Sequence, residues 1–468
     1  MSSEDKSPES RPAHPIGRRP LLRAAGVGAG LAAAGLLRGV PADASTRPTS
    51  GTAAQVAAAA SSSLPLTGGT EFPIGLFWPP PPYYMSGQRY QEIADAGFNF
   101  VVSGNYLFDV PSARYALGLA EQASVKMLIA DDPRILMLAQ DLTITDDRTV
   151  SDSITIADAT AQVAAALANY RSYSSFAGFN LFDEPSPGRV PNLGTLTGIM
   201  RQLAPGLLPY SNLVAYTSVS GPVADYIKTV QPSLISFDRY PILTSGVDVG
   251  YFDTWLAFRE AALQAGIPAW TYIQSVAYNG HAVPTASQLA WQVNVSLAYG
   301  CTGIQYFTYW TPDPARGEGF HDGIILPDGT LSPLYFAAKE LNNDWLQPAG
   351  QQLKPLTSES VQHANDQATV SAAGVAPFAP GDYLTDVTGD AVIVGLFSAT
   401  PDDGTRWLLV TNRDPGTAAS VQVSVNTATV TSVTRFVPQA GNYAPAPPRS
   451  LPVRLAPGAA ALYRLAVS

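Results

Sequence analysis

Phe176-Ala177-Gly178-Phe179-Asn180-Leu181-Phe182-Asp183-Glu184-Pro185 is an apolar run that stops abruptly on two adjacent acids and a proline. Residues 176–183 are long enough for a strand and carry few polar side chains, as a parallel strand covered on both faces requires. Two carboxyls at the end of such a strand are costly to desolvate unless a partner or a reaction uses them. Pro185 stops the strand and predicts extended backbone at Glu184.

The same unit repeats on both sides of this stretch. Strand-like runs are expected at Phe72–Trp78, Phe98–Gly104, Val125–Asp131, Phe176–Asp183, Leu208–Thr217, Leu234–Tyr240, Ile267–Gln274 and Thr302–Trp310. Helical patterns separate them, among them Tyr90–Ala96, Ala157–Tyr170, Leu193–Leu203, Tyr251–Ala265 and Ala286–Tyr299. Gly97, Gly206, Gly266 and Gly300 stand where helices should end. Eight alternations predict an α/β fold, a (β/α)8 TIM barrel over residues 70–348, closed by a helix at Pro333–Leu346. An open doubly wound sheet is the alternative, and no Gly-x-Gly-x-x-Gly turn follows the first strand to support it. Beyond the barrel the pattern changes to period two at Ala391–Ser398, Arg406–Thr411, Ser420–Val425, Val430–Phe436 and Ala460–Val467. Residues 349–468 are therefore expected to form an antiparallel β-sandwich domain, structural or sugar-binding in role.

Charge and composition exclude other classes. The chain has 468 residues, 46% hydrophobic and 14% charged, with a formal charge of −10, which suits a large core and not a nucleic-acid partner. Four histidines (14, 281, 321 and 363) and the single Cys301 leave no metal-site spacing and no disulfide, and no nucleotide or flavin motif is present. No cofactor is expected, and Cys301 should be a buried, inert thiol.

Residues 1–44 look like an address. Gly17-Arg18-Arg19-Pro20-Leu21-Leu22-Arg23 precedes a mild apolar run, Ala24–Leu37, too short to span a bilayer, and then Ala42-Asp43-Ala44. The pattern resembles a twin-arginine export signal and implies a secreted, extracellular protein. The segment carries six basic and four acidic residues, so its removal leaves the chain more acidic. Residues 45–69, rich in Ser, Thr, Ala and Gly, predict a flexible linker, and no later run is long enough for a membrane span.

In a (β/α)8 barrel the residues at the C-terminal strand ends meet at one mouth. There this chain has Asp131, Asp183, Glu184 and Asp238, with Trp78, Tyr83, Asn105, Tyr240, Trp270, Tyr272, Gln274 and Trp310 at or just beyond strand ends. Carboxyls can serve as acid, base and nucleophile in glycosidic cleavage, and aromatic faces stack on sugar rings. Four prolines at 79–82 would hold Trp78, Tyr83 and Tyr84 as a platform. Structural roles are open beside these. Asp183 can pair with Arg239, Asp238 and Asp131 can cap turns, and His281 and His321 fit solvated loops.

The stretch Gly178–Pro185 is similar to (β/α)8 glycoside hydrolases with an acid/base glutamate ending strand four. Glu184-Pro185 and Trp310 carry a resemblance to the glycoside hydrolase family 42 β-galactosidases and their relatives. That resemblance covers residues 72–345 and implies a carbohydrate substrate and Glu184 as proton donor. It departs at Asp183, where those families have Asn, and at Gln274, where they have a nucleophilic Glu. Asp238 is then the first choice for second carboxylate and Asp183 the next. The Asp183-Glu184 pair is also similar to substrate-assisted N-acetylhexosaminidases. In those enzymes the aspartate orients the substrate's 2-acetamido nucleophile and a tyrosine, here Tyr240 or Tyr272, holds its oxygen. Gln274 leaves a third expectation, a non-catalytic sugar-binding protein on the same barrel.

The export reading has a direct test. Mass spectrometry of the protein recovered outside the cell is expected to find Ser45 at its N-terminus. An intact Met1 on that material overturns the cleavage.

Overall fold

Parallel strands buried on both faces need helices outside and side chains inside, and a set of eight can close only if the first pairs with the last. The computed structural model describes residues 64–468. It contains β1 (Ile74–Phe77), β2 (Phe100–Val102), β3 (Lys126–Ile129), β4 (Phe176–Asp183), β5 (Leu208–Val214), β6 (Ile235–Asp238), β7 (Ala269–Gln274) and β8 (Gly303–Phe307). They form a closed barrel in which each strand lies beside its neighbour in sequence and β1 pairs with β8, all in parallel. The expected strands are all present. Most are shorter at their ends than the apolar runs suggest, because the last apolar residues already belong to loops.

Helices α1 (Gly87–Asp95), α2 (Val110–Gln122), α3 (Ile156–Tyr170), α4 (Val190–Leu203), α5 (Pro222–Val230), α6 (Gly250–Ala265) and α7 (Ala286–Ala298) follow the first seven strands. Ser86, Asp109, Thr155 and Thr285 cap α1, α2, α3 and α7 by accepting a backbone N–H three residues on. The closing helix is broken. It runs as α8 (Pro333–Leu341), widens into a π-turn at Asn342–Leu346 and resumes as α9 (Gln347–Leu353). Asn342, in that turn, is fully buried, accepting from Tyr306 Oη at 2.7 Å and donating to Ala96 O at 2.9 Å.

The expected signal at 1–44 and most of the linker lie outside the described residues. Within the linker's last six residues Leu64 and Leu66 are buried and Gly68 N donates to Leu64 O.

The C-terminal region has two antiparallel sheets. Strands β9 (Thr357–Ala364), β10 (Leu384–Gly389), β11 (Val392–Ser398), β12 (Thr405–Asn412), β13 (Ala419–Val425), β14 (Val430–Val437), β15 (Asn442–Pro445), β16 (Ser450–Leu455) and β17 (Ala460–Val467) build it. Their orders are β9-β11-β12-β17-β14-β15 and β10-β13-β16. Val421 and Val423 of β13 are buried while Ser420 is exposed, so the alternation does mark one buried face. The sandwich meets the barrel through α7. Trp291 Nε1 donates to Arg413 O at 2.8 Å and Asn294 Nδ2 to Gly458 O at 2.9 Å.

Side-chain alternation decides what fills the barrel. Ile304 and Tyr306 of β8 belong to the core against the helices, which turns Gly303, Gln305 and Phe307 inward. Gly75 and Gly303 leave room for two rings, since a Cβ at Gly75 would lie 2.2 Å from Phe100 and one at Gly303 2.5 Å from Trp270. Phe100 and Trp270, 5.5 Å apart, make the floor. The site sits above it.

Strand β4 is irregular where it matters. Gly178 has φ +141°, and a Cβ there would stand 2.1 Å from Leu208 O of β5. Gly178→Ala is therefore expected to cost about 3 kcal/mol or more of stability. Calorimetry should find a strongly lowered Tm, and a wild-type Tm would mean that the β4–β5 approach can relax.

Candidate active site

Asp183 and Glu184 are adjacent, so a regular strand would send them to opposite faces. Two local features prevent this. The β4–β5 register shifts between Asn180 and Phe182, and Glu184 has φ +53°. The left-handed backbone contradicts the extended geometry expected before Pro185. The sterics of the proline are overridden by a hydrogen bond from Glu184 N to Asn212 O at 2.9 Å that ties the end of β4 to β5. A non-glycine residue held there stores strain of about 1–3 kcal/mol, which marks functional sites more often than ordinary turns.

The result is a cluster of carboxyls at one mouth. The charges of Asp238 and Asp183 act on Glu184, and that of Asp238 acts on Asp183. Asn212 organises the group. Its Nδ2 donates to Asp238 Oδ1 at 2.8 Å and its side chain also bonds Asp183. Its Oδ1 accepts from Ser236 Oγ at 2.9 Å, Ser236 Oγ lies 2.8 Å from Tyr210 Oη, and Gln305 Nε2 donates to Tyr210 Oη at 2.6 Å. A polar column thus runs from the floor to the acids. Neither Asn212 nor this column was expected from the sequence, since a lone Asn within an apolar strand gives no signal by itself.

All three carboxyls are partly accessible at the mouth yet desolvated by its walls. Burial raises Asp183 to about 7, helped by the charges of Asp238 and Asp131 and opposed by the Asn212 hydrogen bond. Burial also raises Glu184, and the neighbouring Asp238 and Asp183 raise it further. Asp238 is raised by burial but held lower by hydrogen bonds from Asn212 and Glu184. Of the two, Glu184 is raised further and holds its proton to higher pH.

The other expected residues divide. Tyr240 is half-buried and stacks on Phe307 with centroids 5.0 Å apart, and its hydroxyl is pushed up by burial and by Asp238. Tyr272 is buried, hydrogen-bonded to Tyr210 and electrostatically coupled to Asp183. Asp131 acts on Asp183 from the end of β3, while Asp132 caps the next turn, accepting from Arg134 N and Ile135 N. Trp78 is buried in the wall, 6.3 Å from Phe307. Asn105 holds that loop, its Nδ2 donating to Pro79 O at 2.7 Å, so it positions Trp78.

Four expectations are corrected. Trp270 is the barrel floor, two residues below Tyr272. Gln274 is fully engaged, accepting from Ile242 N at 3.0 Å and donating to Ile242 O at 3.0 Å and Ala282 O at 2.7 Å. It clamps the loops after β6 and β7 and has no group left for a ligand. Trp310 is 2% exposed, packed 4.9 Å from Tyr84 with Arg89 over its ring at 5.5 Å. Tyr83 is 70% exposed on the outer rim. The proline segment therefore splits its aromatics and forms no single platform. Phe307 takes the inward place assigned to Trp310, a choice the alternation of Gln305 and Phe307 could have given. Arg239 pairs with Asp248 at 2.8 Å, not with Asp183. His281 packs on Tyr278, His321 pairs with Asp322, and the buried Cys301 thiol is pushed up to about 12.

No protein-family model and no curated protein matches the sequence. Solved structures share the general architecture. A glucosidase from Croceicoccus marinus is 13% identical over 84% of this chain and 95% of its own, with a TM-score of 0.42. An α-galactosidase I from Mortierella vinacea is 10% identical over 85% and 98%, with a TM-score of 0.45. An Anoxybacillus α-amylase gives the same identity, coverage and score. Likeness this distant carries no argument about activity.

The proton count makes a prediction about pH. Carboxyls raised in the native state hold protons that the unfolded chain releases above about pH 4. Stability from this cluster is complete below that range and is lost as pH rises through the Asp183 value near 7. Glu184→Gln removes one carboxyl that the native state must keep protonated at high pH. It is expected to raise Tm by about 2–4 °C at pH 8 and to change it little at pH 4. A difference that does not vary with pH would show that the cluster is not desolvated.

Proposed function

We propose that the protein is a secreted glycoside hydrolase that cleaves O-glycosidic bonds of a poly- or oligosaccharide, with Glu184 as proton donor. The observation that carries the reading is the gathering of Glu184 and Asp238 at the mouth of a barrel, through the left-handed turn at Glu184 and the two bonds of Asn212. A general acid must still be protonated near neutral pH, and desolvation beside two other carboxyls achieves that for Glu184. Glu184 gives its proton to the departing oxygen as the anomeric C–O bond breaks. Asp238, left ionised and bonded by Asn212, faces the positive charge that grows on the sugar ring. The half-buried Tyr240, backed by Phe307, lies beside it.

The separation the two carboxyls adopt around a bound sugar, roughly 5–5.5 Å for retention or 6.5–9.5 Å for inversion, decides whether Asp238 attacks the anomeric carbon or activates water, and NMR of the first product anomer reads it.

A second reading is supported by the turn that brings Asp183 beside Glu184. An ionised Asp183 accepts from an amide N–H, as the acetamido group of an N-acetylhexosamine would require, with Tyr272 or Tyr240 donating to the acetamido oxygen. Asp183→Asn would then slow N-acetylated substrates alone.

Chromogenic glycosides, with and without N-acetyl groups, test both. Glu184→Gln is expected to lower kcat by about 10²–10⁴-fold while leaving folding and sugar binding intact. Undiminished turnover in Glu184→Gln defeats both mechanisms. Sugar binding without any hydrolysis by the wild type would leave a carbohydrate-binding protein.

A further inference from the structure

The loop after β8 carries an arginine that this chemistry does not use. Arg316 ends the short turn Pro314–Arg316, with its guanidinium carbon 4.0 Å from the Trp78 ring centroid and 5.8 Å from that of Tyr106. Its Nε and Nη2 are buried and, among the described residues, have no hydrogen-bond partner. Among the described residues no carboxylate lies within ion-pairing distance of it. Glu318, two residues on, feels its charge without pairing.

Attraction to the Trp78 face explains where the guanidinium plane lies. It does nothing for the edge. Nε–H and Nη2–H share one edge of the guanidinium, and each buried donor left unmade costs about 1–3 kcal/mol. Two parallel N–H groups on one edge match the two oxygens of a carboxylate.

The surroundings say what kind of molecule would bring that carboxylate. Tyr240, Phe307 and Trp78 follow one another along the wall at 5.0 and 6.3 Å, and Arg316 stands beyond Trp78. Tyr106 contacts Phe108, which is 50% exposed, and Tyr83 is exposed on the same rim. A ligand reaching from the half-buried Tyr240 to the exposed Phe108 and Tyr83 would have sugar faces to offer them. Its negative group must avoid the ionised Asp238, which repels it, and Arg239 is neutralised by Asp248. Arg316 satisfies both conditions.

We propose that Arg316 forms a subsite for the carboxylate of a uronic acid residue, next to the sugar whose bond is cleaved. The inference rests on the hydrolase reading and names its substrate class, an acidic oligo- or polysaccharide. The carboxylate accepts from Nε and Nη2 together while Trp78 holds the guanidinium plane from below.

Calorimetric titration of the Glu184→Gln protein with uronic acid oligosaccharides, and with the same oligosaccharides after carboxyl reduction, tests it. The acidic form is expected to bind about tenfold or more tightly. Adding Arg316→Gln should abolish that preference without altering affinity for the reduced form, and Arg316→Lys should restore only part. In the otherwise wild-type enzyme, Arg316→Gln should raise KM for acidic substrates and leave kcat on small neutral glycosides unchanged. Equal binding of both forms, or a preference that survives Arg316→Gln, overturns the subsite. Glu184-dependent cleavage of neutral glycosides would survive that result, so the hydrolase reading would stand. Arg316-dependent binding with no cleavage of any glycoside would instead defeat the hydrolase reading and keep the subsite.

Discussion

Two neighbouring carboxyls kept out of water cannot both ionise freely. That constraint on Glu184 and Asp238 governs what surrounds them. Water would ionise both groups, so the walls must keep most of it out. The pair must also be held together, and the left-handed turn at Glu184 does this through its bond to Asn212 O. Asn212 then reaches Asp238 and Asp183 with its amide, while its oxygen is oriented by Ser236 and, behind that, Tyr210 and Gln305. Each member of this column fixes the next, so the acids inherit their geometry from the barrel interior.

The walls depend on tethers between loops. Gln274 locks Ile242 and Ala282, Asn105 holds Pro79, and Arg239 bonds Asp248 and Thr254. None touches the carboxyls. They fix the loops that present Tyr240 and Trp78, which is why residues expected to meet a ligand serve as braces. A loop whose backbone is bonded by a buried amide keeps its rings in place at little entropic cost on binding.

Much of the fold is legible in the chain because periodicity survives burial. Strands covered on both faces read as apolar runs, and the capping residues before α1, α3 and α7 sit where the runs end. Carboxyls at strand ends are visible for the same reason, since an acid that ends a mainly apolar run has few structural explanations. Individual side-chain fates are less legible. Trp270, Tyr272 and Gln274 share one face of β7, yet one is floor, one is wall and one is a clamp. Height along the barrel separates them, and height depends on how far neighbouring strands are staggered.

The sequence by itself determined the alternation of strands and helices, the period-two domain behind it and the acids that end β3, β4 and β6, because these follow from local pattern and the cost of burying charge. Tertiary structure alone decided that Asp183 and Glu184 share a mouth, that Asn212 bonds two acids, and that Phe307 faces inward while Trp310 is packed away. Those outcomes turn on a register shift, a positive φ and contacts between residues far apart in the chain. No local window of sequence contains the partner that makes them favourable.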